Sequence, residues 1–484
     1  MDLKSKAFVA VLWDLIGLVG TQGITFGVSI VLARMLTPSE FGIVGMALVF
    51  IAIAGVFIDS GLGSALIQNQ EVTDLSYSSV FYYNLFVSLC LFYLIHLFAS
   101  DISLFFDEPQ VEKILKLLCF AMPIRALSSI QSILFTKNLD FKALSIRSLV
   151  AGIISGAVGL ALALNGFGAF SLVWQYLTSS LITAILLWKI SPWRPKLEFS
   201  FTELSKLWNF GFYVFLDRAS GQVLHRSQVL MIGKVFDPAT LGYFSRSESL
   251  TALLNKYASS SIQRVFFPTM SIIQNDRGLY RVTFLKTIKL VSFFTFLLSG
   301  LMAIGSEIII IGLFGDKWQE SVVIFQILML KIFNYPINVL CNGALMALGF
   351  SKIVFWKGNI NKLMIITSFV IAYYFGFRSF LWTLVILSHI SIIINIIIVR
   401  NYLKISSITT IRNIYTSGII FGILILLYFK FCSLIVVDIN MYLLGISGCI
   451  FYAFTYIIIS FYADSHIRNM IFNLCNKLKQ LKAS

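Results

Sequence analysis

Unbroken apolar runs of about twenty residues recur from one end of this 484-residue chain to the other, the length an α-helix needs to cross a bilayer core. Apolar residues make up 58% of the chain and charged residues only 12%, about half the usual share in soluble proteins. That balance excludes a soluble enzyme, a disordered chain and a nucleic-acid binder with a basic surface. A transmembrane barrel would alternate polar and apolar residues in strands of about ten, whereas these runs are continuous. The expected fold is therefore an all-α polytopic membrane protein. Hydropathy and turn residues predict about 14 transmembrane segments, at 8–33, 40–66, 75–98, 112–134, 144–164, 168–188, 209–233, 240–263, 283–311, 320–346, 359–375, 379–399, 413–431 and 440–461.

Net charge is +15, and in a membrane protein the question is where the positive charges sit. With residue 1 on the cytoplasmic side, inner stretches carry 24 of the 37 Lys and Arg, outer stretches carry 8 and the spans hold 5. This positive-inside bias puts both termini in the cytoplasm. The first span is too long for a signal-peptide core and is expected to be retained. Two cytoplasmic stretches are expected to lie at the membrane interface. One has a Ser200–Glu203 capping box before Leu204, Leu207 and Trp208. The other is the basic tail, with Ile467, Met470, Ile471, Leu474, Leu478 and Leu481 at helical spacing.

The two halves of the chain match each other. Arg34–Pro38 with Gly42 recurs as Lys234–Pro238 with Gly242. Leu104-Phe105 with Asp107 and Gln110 recurs as Leu313-Phe314 with Asp316 and Gln319, and Gly166-Phe167 with Phe170 recurs as Gly376-Phe377 with Phe380. The order is kept and the offset is nearly constant. A unit of six spans, an even number, repeats in parallel, as is common in transporters whose substrate site lies near the bilayer midplane. The expected organisation is two parallel six-helix lobes, 1–190 and 209–400, joined by a cytoplasmic linker at 191–208. Helices 13 and 14 follow at 401–461, then the tail at 462–484.

Ionisable groups within spans are costly against lipid and normally face a cavity. Span 4 carries Arg125, Ser128, Ser129, Ser132 and Thr136 along one helix face, beside Pro123. Span 10 carries Lys331, Asn334, Tyr335, Asn338 and Asn342 at the same spacing, beside Pro336. These read as two facing walls of one polar cavity. Span 7 adds Arg218, Gln222, His225 and Arg226, and span 8 adds Lys256. Against Asp14 and Asp217, the interior is net cationic and suited to an anion such as a phosphate. Asp14, on one face of span 1 with Thr21 and Thr25, is also a candidate for ion coupling, as is Asp217. No nucleotide-binding loop, metal-ligand spacing or catalytic constellation is present, and the six cysteines form no paired motif; no cofactor, metal or enzymatic activity is expected.

The stretch Leu32–Gly42 (LARMLTPSEFG), followed by Asp59–Gln68 (DSGLGSALIQ), resembles the N-terminal signature of Wzx-type polysaccharide flippases. These belong to the multidrug/oligosaccharidyl-lipid/polysaccharide (MOP) superfamily. Arg147-Ser-Leu-Val with Gly166-Phe-Gly168, Ser191–Pro195 before Phe210-Gly211, and Gly315–Trp318 before Ala347–Gly349 are similar to the same family, closest to its colanic-acid-exporter type. The resemblance covers about residues 5–400. It implies a bacterial inner-membrane protein that moves an undecaprenyl-pyrophosphate-linked oligosaccharide between leaflets by alternating access. It also implies a polysaccharide polymerase and a chain-length regulator as partners. Gly61 and Gly63, with Pro38 and Pro238, are read as gate and hinge positions rather than substrate contacts. A peptidoglycan-precursor flippase would share the pyrophosphate head. A drug/cation antiporter would need an acidic interior, and a lipid-modifying enzyme would need a large outer loop.

Overall fold

The structure, a computed structural model, describes residues 3–434, 441–465 and 467–470, without the side chains of 3–8, 256–261 and 441. Most of the basic tail lies outside the described residues. The described chain is helical throughout and falls into two compact units, Met1–Gly242 and Tyr243–Ser484. Among the described residues, ten helices are long and apolar enough to cross a membrane, or eleven when one bent pair is taken as a single span, against the fourteen expected. The molecule is a multi-pass membrane protein.

The first unit contains α1 (Leu3–Met35), α2 (Pro38–Asp59), α3 (Leu62–Gln68), α4 (Asp74–Leu97), α5 (Ala99–Phe106), α6 (Pro109–Leu118), α7 (Ala121–Ala126), α8 (Ser129–Lys137), α9 (Phe141–Leu164), α10 (Ala169–Ile190) and α11 (Phe201–Val235). It also holds the first turn of α12 (Pro238–Ile272). Expected span 4 is not one straight helix: α6, α7 and α8 share it, with a 45° bend between the Pro109–Ala126 and Ser129–Lys137 parts. α11, assigned by sequence to the second lobe, packs on α2, α3 and α4. The expected interfacial stretch at its start is a correction of another kind. Ser200 caps the helix as predicted, accepting the Glu203 N–H at 3.3 Å, but Leu204 and Leu207 are buried against Leu66, Phe81 and Ile130 instead of lying on a membrane surface.

α2 is fixed at both ends by backbone packing. At its start, Pro38 occupies the first turn and Thr37 forms a capping box with Glu40, whose carboxylate accepts the Thr37 N–H at 2.6 Å. The repeat mate Asp237 caps α12 in the same way, accepting the Thr240 N–H at 2.8 Å. Burial raises the acidity cost at Asp237, yet hydrogen bonds from Thr240 prevail and hold its carboxyl below the ordinary aspartate value. The two repeat copies meet here reciprocally. A Cβ on Gly42 would stand 1.8 Å from the Pro238 carbonyl oxygen, and one on Gly242 would stand 1.9 Å from that of Pro38. Only glycine permits this double approach.

The second unit contains the rest of α12, α13 (Arg277–Ile304), α14 (Ser306–Phe314), a 3₁₀ turn (Asp316–Trp318), α15 (Gln319–Met329), α16 (Asn334–Ala347), α17 (Ser351–Leu403), α18 (Ser407–Leu434) and α19 (Met441–Ala463). α17 turns at Gly376, which has φ 83° and ψ 176°, between the positions expected for spans 11 and 12. Its repeat mate Gly166 also has positive φ, 78°. The two helices outside the repeat pack on α13. The hydroxyls of Tyr452 and Tyr456 in α19 donate to the carbonyls of Phe296 and Phe293 at 2.9 and 3.0 Å, and Phe421 of α18 lies against Phe296.

Candidate functional site

Within the first unit, α2, α4, α7, α8, α9 and α10 enclose a polar cavity of about 580 Å³. That is the size of a small-ligand pocket. Its wall is the broken helix of span 4. A break inside a membrane exposes backbone carbonyls, which must find donors. Here they do: the Ser128 and Ser129 hydroxyls donate to the carbonyls of Arg125 and Ala126 at 3.2 and 2.9 Å, and the Trp188 indole donates to that of Leu127 at 2.8 Å. The break is thus satisfied by its own serines and by Trp188 of α10, and leaves Arg125 facing the cavity. One guanidinium nitrogen of Arg125 donates to the Tyr176 hydroxyl at 2.9 Å. Ser128, Ser129 and Ser132 line the same cavity, so this predicted stripe does share one space.

A second arginine, Arg147 of α9, also lines the cavity. It donates to the hydroxyls of Ser148 at 2.9 Å and Ser132 at 3.4 Å, and its Nε–H is buried without a hydrogen-bond partner. Sequence reasoning missed this residue by counting it with a cytoplasmic loop. Its place three residues into an expected span was the available signal. Asn84 of α4 adds an unpaired buried Oδ1 beside Ser129. Two guanidinium groups, serine hydroxyls and unpaired polar atoms thus line one cavity, groups whose chemistry suits an anion.

At the end of α2, Asp59 lines the cavity and anchors a tight turn. Ser60 and Gly61 are left-handed, with φ 45° and 72°, and a Cβ on Gly61 would stand 2.0 Å from the Gly211 carbonyl oxygen of α11. The Gly63 N–H donates to Asp59 at 3.3 Å. Arg218 of α11, expected to bind substrate, instead pairs with Asp59 at 2.8 Å and donates to Ser64 at 2.8 Å. Lys137 closes α3 by donating to the carbonyls of Leu66 and Asn69 at 2.9 and 2.7 Å.

The other expected residues scatter. Gln222 and Arg226 are half-buried on α11, and the Arg226 Nε–H has no hydrogen-bond partner; His225 and Asp217 are exposed. The side chain of Lys256 lies outside the described residues. Asp14 lines a second polar cavity of about 350 Å³ between α1 and α9, with Thr21 and Thr25 on its wall as their spacing predicts.

In the second unit, Lys331 falls in the turn between α15 and α16 and has Glu248 of α12 as an electrostatic neighbour, a carboxylate absent from the sequence-based balance of charge. Asn338 and Asn342 do not serve Lys331. Their side-chain oxygens accept from Lys357 of α17, as does Asn395 at 2.7 Å. Lys357 is 3% exposed, and its three N–H donors meet three amide oxygens. Sequence reasoning placed it in a cytoplasmic loop. Among the described residues, no group of three His, Cys, Asp or Glu is placed to hold a metal ion.

An all-helical, multi-pass membrane protein with a cationic polar interior is the class that this fold and cavity define. Within it, the family described as "Polysaccharide biosynthesis protein" matches residues 31–323, more than half of the chain, and the chain belongs to that family. It is 24% identical over 359 residues to the succinoglycan biosynthesis transport protein ExoT of Rhizobium meliloti (strain 1021), covering 72% of this chain and 71% of that one. It is 23% identical over 348 residues to the lipopolysaccharide biosynthesis protein WzxC of Escherichia coli (strain K12), covering 70% of each. Among solved structures, the lipid II flippase MurJ in an inward closed conformation matches with a TM-score of 0.74 at 16% identity, over 95% of this chain and 100% of that one. An inward-facing MATE multidrug-resistance transporter of the MOP superfamily matches with a TM-score of 0.60 at 13% identity, over 81% and 98%. The chain shares the fold of these two transporters, one of them a member of the MOP superfamily.

Proposed function

We propose that the protein is a flippase that carries an undecaprenyl-pyrophosphate-linked oligosaccharide from the inner to the outer leaflet of the bacterial cytoplasmic membrane, for lipopolysaccharide, capsule or exopolysaccharide assembly. The carrying observation is the two-arginine cavity inside the first unit of a chain whose relatives are polysaccharide biosynthesis and transport proteins. A pyrophosphate crossing about 30 Å of hydrocarbon needs its charge met on the way. Arg125 and Arg147 supply the charge, and the serine hydroxyls fill the remaining acceptor sites. Access alternates between the two faces, with Pro38, Pro238 and the Gly61–Gly63 turn as the points about which helices pivot. Both termini face the cytoplasm, by the distribution of Lys and Arg. Removing Arg147 and Lys357 from the inner loops leaves that bias intact.

Deleting the gene and restoring it on a plasmid tests the reading. Loss should trap lipid-linked glycan in the inner leaflet, and the plasmid should restore surface polysaccharide. Surface polysaccharide unchanged by the deletion refutes the function. Orientation is tested separately with single cysteines: positions 107 and 316 should react with an impermeant thiol reagent from outside, and position 277 only from inside. Labelling of position 277 in intact cells overturns the topology.

A further inference from the structure

The smaller cavity between α1 and α9 has a chemistry that a head-group site does not need. Gly17 and Gly20 let the two helices close. A Cβ on Gly17 would stand 2.1 Å from the Ser145 hydroxyl, and one on Gly20 would stand 2.7 Å from Leu149. Ser145 is committed to this packing, donating to the Trp13 carbonyl at 2.7 Å. On α9 the wall adds Leu144 and the hydrogen-bonded pair Arg147 and Ser148, whereas the polar groups of α1 are unpartnered among the described residues. The Thr21 hydroxyl is buried without a hydrogen-bond partner, and Asp14, Gln22 and Thr25 form no side-chain hydrogen bond among the described residues. From Asp14 to Thr25 these groups run about 16 Å along one face of α1. Arg147 forms part of this wall as well as of the larger cavity.

Charge decides the ligand class. One carboxylate and one guanidinium share the space, so it favours neither a free cation nor a second anion. What remains unmet is a set of donors and acceptors: the hydroxyls of Thr21 and Thr25, the Gln22 amide, the Asp14 carboxylate and the Nε–H of Arg147. A neutral polyhydroxyl ligand matches all of them, since each sugar hydroxyl both donates and accepts. Phe141 adds an apolar ring to the wall, suited to the C–H face of a sugar. We infer that the α1/α9 cavity is a saccharide subsite. Resting on the flippase reading, it takes a sugar of the lipid-linked glycan while the adjoining pyrophosphate occupies the larger cavity, with Arg147 shared between them.

The test is binding by the full-length protein in lipid nanodiscs, with two probes. One is undecaprenyl pyrophosphate without sugar; the other is lipid-linked glycan extracted from cells lacking the transporter. Thr21→Val removes the orphan hydroxyl at nearly constant shape. It should weaken the glycan-bearing lipid by about two- to tenfold and leave the sugar-free lipid unchanged. Thr21→Ser should restore binding, which a packing defect would not allow. Equal effects on both lipids, or on neither, overturn the subsite, and so does an effect that follows sodium concentration rather than the sugar. Arg125→Ala separates the two readings. It should weaken both lipids, and that result upholds the head-group site even where Thr21→Val shows the saccharide subsite to be wrong. Arg125→Ala without effect on either lipid overturns the head-group site, and the saccharide subsite that rests on it.

Discussion

The broken helix of the first unit and its repeat mate in the second start from the same pattern and end in opposite states. Both present a cation followed by polar residues three, four and seven positions on. In the first unit the followers are serines. Their short hydroxyls fold back onto carbonyls three residues earlier in the same helix, so the arginine is left facing open space. In the second unit the followers are two asparagines, Asn334 and Asn338, and Tyr335, with Asn342 one turn further on. The longer, two-ended amides of Asn338 and Asn342 reach neighbouring helices and close around Lys357, with Asn395 also donating to Asn338 at 2.7 Å. Spacing put both stripes on one face, but side-chain reach decided whether that face became a cavity or a packed polar core.

Breaking the open half should have the largest effect. A charge-assisted hydrogen bond contributes about 1.5–3 kcal/mol, so losing one arginine should weaken head-group binding about tenfold or more. Arg125→Ala combined with Arg147→Ala should cut surface polysaccharide about a hundredfold or more at normal protein levels, unless the two arginines couple. Export retained by the double variant would move the anion site elsewhere.

Lys357→Met breaks the closed half. It strands the amide oxygens of Asn342 and Asn395, while that of Asn338 keeps its donor from Asn395, at a cost of about 1–3 kcal/mol each before the site relaxes. Thermal stability in detergent should fall clearly, while transport per folded molecule stays near normal. A normal melting temperature with lost transport would make Lys357 part of the substrate path and erase the contrast between the two units.

The turn that borders the open cavity sharpens the comparison. Gly61→Ala adds a Cβ 2.0 Å from a backbone carbonyl oxygen at a left-handed position and should reduce the folded yield severely. Gly23→Ala, where a Cβ meets nothing within 4 Å, should be silent. Equal yields would show that the α2–α11 approach is slack.

The smallest effect belongs to the clamp at the start of α11. Hydrogen bonds from Lys206 and Ser76 hold the Glu203 carboxyl below its usual value. A depressed carboxylate stabilises the fold above its unfolded pKa of about 4.3, and that stability is lost as pH falls through the lower folded value. Glu203→Gln should therefore lower stability slightly at neutral pH, flatten the stability profile between about pH 5 and pH 3, and change little below that range. An unchanged profile would show that the clamp contributes nothing. Export should not respond at neutral pH.

Much of this was legible in sequence because each feature had a local cause. Apolar run length gave the helices, and Pro38 and Pro238 with their Gly42 and Gly242 mates marked paired helix starts. The serine stripe beside Arg125 pointed to the cavity it lines. What could not be read were long-range partners. Arg147 and Lys357 sit near helix ends, where a count of positive charges treats them as loop residues. Nothing local shows that Arg218 answers Asp59, 159 positions earlier. The bend in span 4 was signalled by Pro123, yet where the freed carbonyls would find donors depended on Trp188 of another helix.

The central claim is that arginine geometry in the first-unit cavity carries the pyrophosphate across. It is tested most directly by the rate at which lipid-linked glycan changes leaflet in proteoliposomes holding the wild type, Arg125→Lys or Arg125→Ala. The planar guanidinium fork suits a phosphate better than a point charge, and a point charge better than none. The rates should fall in that order, with the alanine variant about tenfold or more below wild type. Equal rates for all three proteins would contradict the claim.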